Sequence, residues 1–131
     1  MRRQSREIAL QILFQTEFAP QLSPAEVAAL YEESVDRETL AYSEELVDGV
    51  MEHRVDIDAK IQAASRHWKI DRMAGVDRNI LRSAVYEMKF ASNPVTEKIV
   101  IDEAVEIAKK FGTTDSSAFI NGVLDQIAKG S

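Results

Sequence analysis

Apolar residues recur at helical spacing along almost the whole chain. The densest stretch is Gly75 to Phe90, GVDRNILRSAVYEMKF. There Ile80, Leu81, Ala84, Val85 and Met88 follow i, i+1, i+4, i+5 and i+8, with Arg78, Arg82 and Lys89 outside the stripe. So broad a stripe exceeds what a surface helix buries, so this segment is read as a central helix with neighbours on several sides. Asp77 stands where an N-cap is expected, because its carboxylate suits orphan backbone N–H groups, and Asn93-Pro94 stops the helix.

The rest of the pattern arranges itself around that element. From about Ser5 to Phe18, Ile8, Ala9, Leu10, Ile12, Leu13 and Phe14 form a mostly buried helix, with Glu7, Gln11 and Gln15 on its wet face and Pro20 ending it. Ser23-Pro24-Ala25-Glu26 is a capping box with proline at the first helical position, starting a helix to about Ser34. Between Glu38 and Trp68 the pattern fits two helices, broken near His53 to Asp56 with Asp56 as cap, or one long bent helix. Trp68, Ile70 and Met73 form a short apolar link to the central helix. After Pro94, Ile101, Ala104, Val105, Ala108 and Phe111 make a stripe that ends with Lys109, Lys110 and Gly112 as the C′ residue. A last helix, about Asp115 to Ala128, carries Ile120, Val123, Leu124 and Ile127 on one face behind a Thr/Asp/Ser capping cluster. Gly122 inside it implies close approach of another backbone, since a mid-helix glycine costs about 1 kcal/mol against alanine.

Composition narrows this to an all-α domain of about seven helices. Of 131 residues, 45% are hydrophobic, enough for one compact domain or two small packed subdomains, and no alternating β-branched or aromatic run suggests a sheet. With no cysteine there is no disulfide framework, thiolate metal site or cysteine nucleophile, as fits a reducing compartment. The absence of a long apolar run or signal peptide leads to the expectation of a cytoplasmic protein without a membrane role. The net charge of −6 argues against a uniform nucleic-acid-binding surface, yet charges beyond a Debye length of about 8 Å barely interact, leaving room for a local basic patch.

Catalytic chemistry finds little support. His53 and His67 lack the spacing of a metal motif, no phosphate-binding glycine loop or nucleophile elbow occurs, and Asp56/Asp58 and Asp102/Glu103 read as caps and wet helix faces. We therefore expect no enzyme, cofactor or metal. Arg2, Arg3 and Arg6 stand apart: three guanidinium groups at a flexible terminus suit bidentate contacts to phosphates or base edges, although a basic terminus also serves solubility alone. Phe119, beside Ser116 and Ser117, suits either the core or stacking on an unpaired base.

Four segments, RRQSREIALQILF, VDRNILRSAVYEM, IDEAVEIAKKFG and SSAFINGVLDQIA, resemble in order and spacing the bacterial transcription antitermination factors of the NusB family. The resemblance spans nearly the whole chain. It implies two helical bundles packed together, about residues 1–64 and 65–131, and no catalysis. It further implies binding of the single-stranded boxA segment of ribosomal RNA transcripts together with NusE, a small-subunit ribosomal protein, to promote read-through by RNA polymerase. On this resemblance Arg2, Arg3 and Arg6 fall on the arginine-rich RNA-binding motif, and Ser116 and Phe119 at the RNA-facing start of the last helix. Phe14, Asp77 and Asp115 fall where members meet NusE, and some members form homodimers. Two other readings fit similar patterns: the RNA-binding module of a ribosomal RNA cytosine methyltransferase, and a helical protein-interaction adaptor without an RNA role.

Overall fold

The computed structural model describes residues 2–130, and among them the only regular structure is helical. Seven α-helices follow one another: α1 Arg2–Phe18, α2 Pro24–Ala29, α3 Arg37–Glu52, α4 Arg54–Ala64, α5 Gly75–Val85, α6 Glu97–Phe111 and α7 Ser116–Lys129. A short 3-10 turn, Ile70–Arg72, precedes α5, and a π-helical turn, Tyr86–Phe90, extends it.

The expected central helix is central. α5 packs against α1, α4, α6 and α7, and its whole second half is buried from Asn79 to Val85. That includes Arg82, at 4% exposure, which the periodicity placed outside the stripe. With neighbours on every side α5 has no wet face, so the charge of Arg82 is met internally: Nε donates to Asp58 Oδ1 at 2.9 Å and Nη1 to Glu17 Oε2 at 3.2 Å.

Helix ends follow the local chemistry in some places and override it in others. The Ser23–Glu26 capping box forms with both reciprocal hydrogen bonds, but α2 ends at Ala29, and the chain continues to Ser34 as turns. Asp36 caps α3 by accepting from the Thr39 N–H at 3.0 Å. The segment from 37 to 64 is two helices with the break at His53; Asp56 lies in the first turn of α4 rather than capping it. Asp77 likewise sits in the first turn of α5, where Ala74 holds the N-cap position, so its charge faces the helix dipole without closing a cap. Along α6 the buried stripe is Val100, Ala104, Ile107 and Ala108, rotated by about one residue from the expected one, because α6 lies against α5 and α7 together.

Two glycines also depart from expectation. Gly112 is the C-cap of α6 with φ −97° and ψ −166°, an extended conformation open to any residue. What excludes a side chain there is Ser116, whose Oγ and Cβ would overlap a Cβ. Gly122 faces open space: among the described residues outside its own helix turn nothing lies within 4 Å of an added Cβ, so no neighbouring backbone approaches it. Close approach occurs instead at Gly49 in α3, where the Tyr86 ring lies on the backbone and a Cβ would overlap it.

Candidate nucleic-acid interface

Helix α1 starts at Arg2, three residues earlier than the periodicity suggested, so the arginines belong to its first turns and not to a flexible terminus. Their i, i+1, i+4 spacing puts all three on one side. Their environments nonetheless differ.

Arg6 points inward and is 8% exposed. Its Nε donates to Glu87 Oε1 at 2.7 Å and its Nη2 to Glu87 Oε2 at 2.9 Å, a bidentate pair that fixes α1 to the π turn. The Tyr42 hydroxyl donates to the same Glu87 Oε2 at 2.5 Å, drawing in α3. Burial alone would lower the Arg6 pKa, but the hydrogen bonds and charge of Glu87 raise it above the ordinary arginine value. Burial, then the bond to Glu87, pushes the Tyr42 phenol well above its ordinary range. Arg6 is thus the anchor of the cluster.

Arg3 faces outward, with its side chain 47% exposed. Its Nε and Nη2 donate to Glu103 Oε1 and Oε2 at 3.0 and 2.6 Å, bridging α1 to α6. Hydrogen bonding from Arg3 holds the Glu103 carboxyl below its ordinary pKa. Arg2 lies with its guanidinium 3.5 Å over the Tyr42 ring, a cation–π contact that leaves its N–H edge available. The helix is held in place on its other side by two hydroxyls: Ser5 Oγ donates to the Thr39 carbonyl at 2.8 Å, and Ser43 Oγ donates back to the Ser5 carbonyl at 2.8 Å.

A second feature brings Asp77 of α5 together with the start of α7. Asp77, Asp115, Ser116 and Phe119 line one open cleft together with the exposed Trp68 and the buried Met73. Ser116 is buried at 1%, and its hydroxyl accepts from the Thr113 N–H at 2.9 Å, so it builds the α6–α7 turn and leaves Phe119 as the residue half-open to the cleft. Asp115 holds the N-cap position of α7 without a side-chain capping bond. Asp77 Oδ1 is buried and has no hydrogen-bond partner among the described residues, so it is an acceptor that a donor in the cleft would satisfy. Phe14 lies apart from these lining residues, 4.7 Å centroid to centroid from Phe18. Both rings lean on Gly75 at the start of α5, where a Cβ would stand 3.0 Å from Phe14 and 3.1 Å from Phe18.

One seam points from the arginines toward the cleft. α1 and α6 are linked by long side chains, Arg3 to Glu103 and Lys110 Nζ to Glu7 Oε1 at 3.1 Å, and α6 then leads through the Ser116 turn into α7. Exposed Lys110 also lies 5.3 Å over the Phe111 ring, adding a cation that the sequence reading assigned only to the helix dipole. That reading missed Tyr42, Glu87 and Glu103 as well. Glu87 carried a signal, for an acid one position from Met88 in a helix with neighbours all round must face a cation. Which cation was a tertiary fact.

Known proteins share both the sequence and the fold of this chain. The model of the NusB family matches residues 3–129. A transcription antitermination protein NusB of Bdellovibrio bacteriovorus is 59% identical over 98% of this chain and 95% of its own length. That of Geobacter sulfurreducens is 47% identical over 97% of this chain and 93% of its own. Among solved structures, NusB of T. maritima superposes with a TM-score of 0.89 at 35% identity, covering 98% of this chain and 91% of that one. The NusB of a complex of antitermination factors NusB and NusE with double-stranded RNA gives 0.83 at 30% identity, covering 99% of this chain and 97% of that one. By its sequence over nearly its full length and by its fold, the chain belongs to the NusB family.

Proposed function

We infer that this protein is a transcription antitermination factor that binds RNA together with NusE. The observation that carries the reading is the first turn of α1, where a buried Arg6 fixes the helix while Arg2 and Arg3 present guanidinium groups to solvent. Arginines so placed suit phosphate contacts that set the register of an RNA strand, while base edges and stacking carry its sequence preference. In this reading the RNA is the boxA segment of ribosomal RNA transcripts, Arg2 and Arg3 take phosphates, and Phe119 offers a face to a base. Phe14, Asp77 and Asp115 belong to the NusE surface, where a basic partner would satisfy the buried Asp77 oxygen. Ser116 and Arg6 act from beneath, by shaping the turn and holding the helix.

The reading extends to cytoplasmic action on the elongating RNA polymerase and to homodimer formation in the absence of NusE, which sedimentation at several concentrations tests. It also includes the division into two bundles. The packing of α4 on α5 and α7 supports a boundary near His53 in place of residue 64. The central experiment titrates fluorescent boxA RNA, single-stranded and as a duplex, with the protein and its Arg2→Ala/Arg3→Ala variant, with and without NusE. Loss of two phosphate contacts to a single strand flattens the slope of log K against log salt by about 1.4. Equal binding by both proteins at all salt concentrations, or no RNA complex with NusE present, refutes the assignment.

A further inference from the structure

We propose that Glu103 of α6 is an affinity-limiting residue for RNA binding: its carboxylate occupies the phosphate-binding edge of Arg3, so an RNA strand gains that contact only by displacing it. The inference rests on the RNA-binding reading above and adds a residue of opposite charge to it. Three observations carry it.

The first is geometry. Arg3 gives both Nε and Nη2 to the two oxygens of Glu103, at 3.0 and 2.6 Å, which is the same fork that a phosphate would use. A guanidinium so held has its bidentate edge occupied by an internal anion. The second is that the pair is not needed to hold α1. Arg6 is fixed independently by two bonds to Glu87, Ser5 and Ser43 clamp α1 to α3, and Glu103 reaches Arg6 only at 3.5 Å. A structural ion pair would be redundant here. The third is accessibility, since Arg3 and Glu103 side chains are 47% and 20% exposed, open enough for exchange of one anion for another.

The consequence is a threshold. A lone phosphate, or a strand that makes no other contact, must compete with a carboxylate already in place. Bases placed elsewhere on the protein add to binding without changing that exchange, so a strand of any sequence meets the same competitor. Glu103 therefore lowers affinity for every strand that uses Arg3, and by no less for a strand that seats well on it than for one that does not.

The test is a double-mutant cycle on the full chain with NusE, using boxA RNA and a scrambled single strand of equal length, for wild type, Arg3→Ala, Glu103→Gln and the double variant. Asp125→Asn, which removes one negative charge from α7, controls for net charge. The expected result is that Glu103→Gln tightens binding by about two- to fivefold, the range associated with an exposed ion pair, and by no less for boxA than for the scrambled strand. Its salt slope steepens by up to about 0.7, one single-strand phosphate contact no longer offset by an internal counterion. In the Arg3→Ala background the gain disappears. Weaker or unchanged binding by Glu103→Gln overturns the proposal, as does an equal gain in Asp125→Asn or a gain that survives Arg3→Ala. A failure of wild type itself to bind either RNA overturns the RNA-binding reading instead, and unfolding curves of each variant verify that the fold is retained.

Discussion

Both ends of α1 are joined to α5 and its extension by arginine–carboxylate networks of similar composition. At the C-terminal end Glu17 accepts from Arg78 Nη2 at 2.6 Å and from Arg82 Nη1 at 3.2 Å, while Asp58 takes Arg82 and, at 3.1 Å, Arg54. At the N-terminal end Glu87 takes Arg6, Glu103 takes Arg3, and Arg2 rests on Tyr42. Each end has three arginines and two carboxylates, so counting charges does not separate them. Exposure does. Arg78 and Arg82 side chains are 11% and 5% exposed and spend their donors inside, whereas Arg2 and Arg3 stand at the surface. The surplus charge is available to a ligand at one end and committed to the fold at the other.

The largest test of this contrast is Glu87→Ala. It leaves the Arg6 charge and the Tyr42 hydroxyl buried without their acceptor, so unfolding free energy is expected to fall by about 3 to 5 kcal/mol in denaturant titration. Arg82→Ala at the other end uncovers Glu17 and Asp58, both open to some solvent, and a loss of about 2 to 3 kcal/mol is expected. Its pH dependence sharpens the point. Arg78 and Arg82 outweigh the effect of burial and hold Glu17 below its ordinary value of 4.5. A depressed carboxylate contributes stability that is full at neutral pH and is lost as pH falls from about 4.5 through the folded value. Arg82→Ala therefore shrinks the acid-side loss seen in thermal melts between pH 5 and the acid limit of the native state. Outside both networks, Gly122→Ala should stabilise the protein by about 0.5 to 1 kcal/mol, because the added methyl meets nothing and the unfolded chain loses freedom. Smallest on stability is Arg3→Ala, which leaves the melting temperature unchanged while weakening RNA binding; a marked loss of stability would erase the distinction between the two ends.

The fold was legible because helical period and breaker residues do not depend on tertiary context. Seven helices, the Ser23–Glu26 box and the α7 stripe follow from spacing alone. The failures have a common origin in packing. Asp77 and Asp56 are good caps that landed at the third residue of their helices, and Gly122 meets no neighbour among the described residues that would require a glycine. The basic cluster was visible as composition, but its division into an inward anchor and outward contacts was not. That division depends on acids 81 and 100 residues away. Phe119, Asp77 and Asp115 meet only because α7 begins beside the start of α5, which no local pattern records.

Those separations bear on how the protein is made. The first helix leaves the ribosome with its guanidinium groups bare, and the partners that sort them lie 81 and 100 positions later. Closing such long loops comes late in folding, since their entropy must be met before the contacts form. The arginine face is thus among the last features to be completed. Until Glu87 and Glu103 have emerged, a nascent chain carries three unsorted cations, open to phosphate contacts that the finished protein restrains.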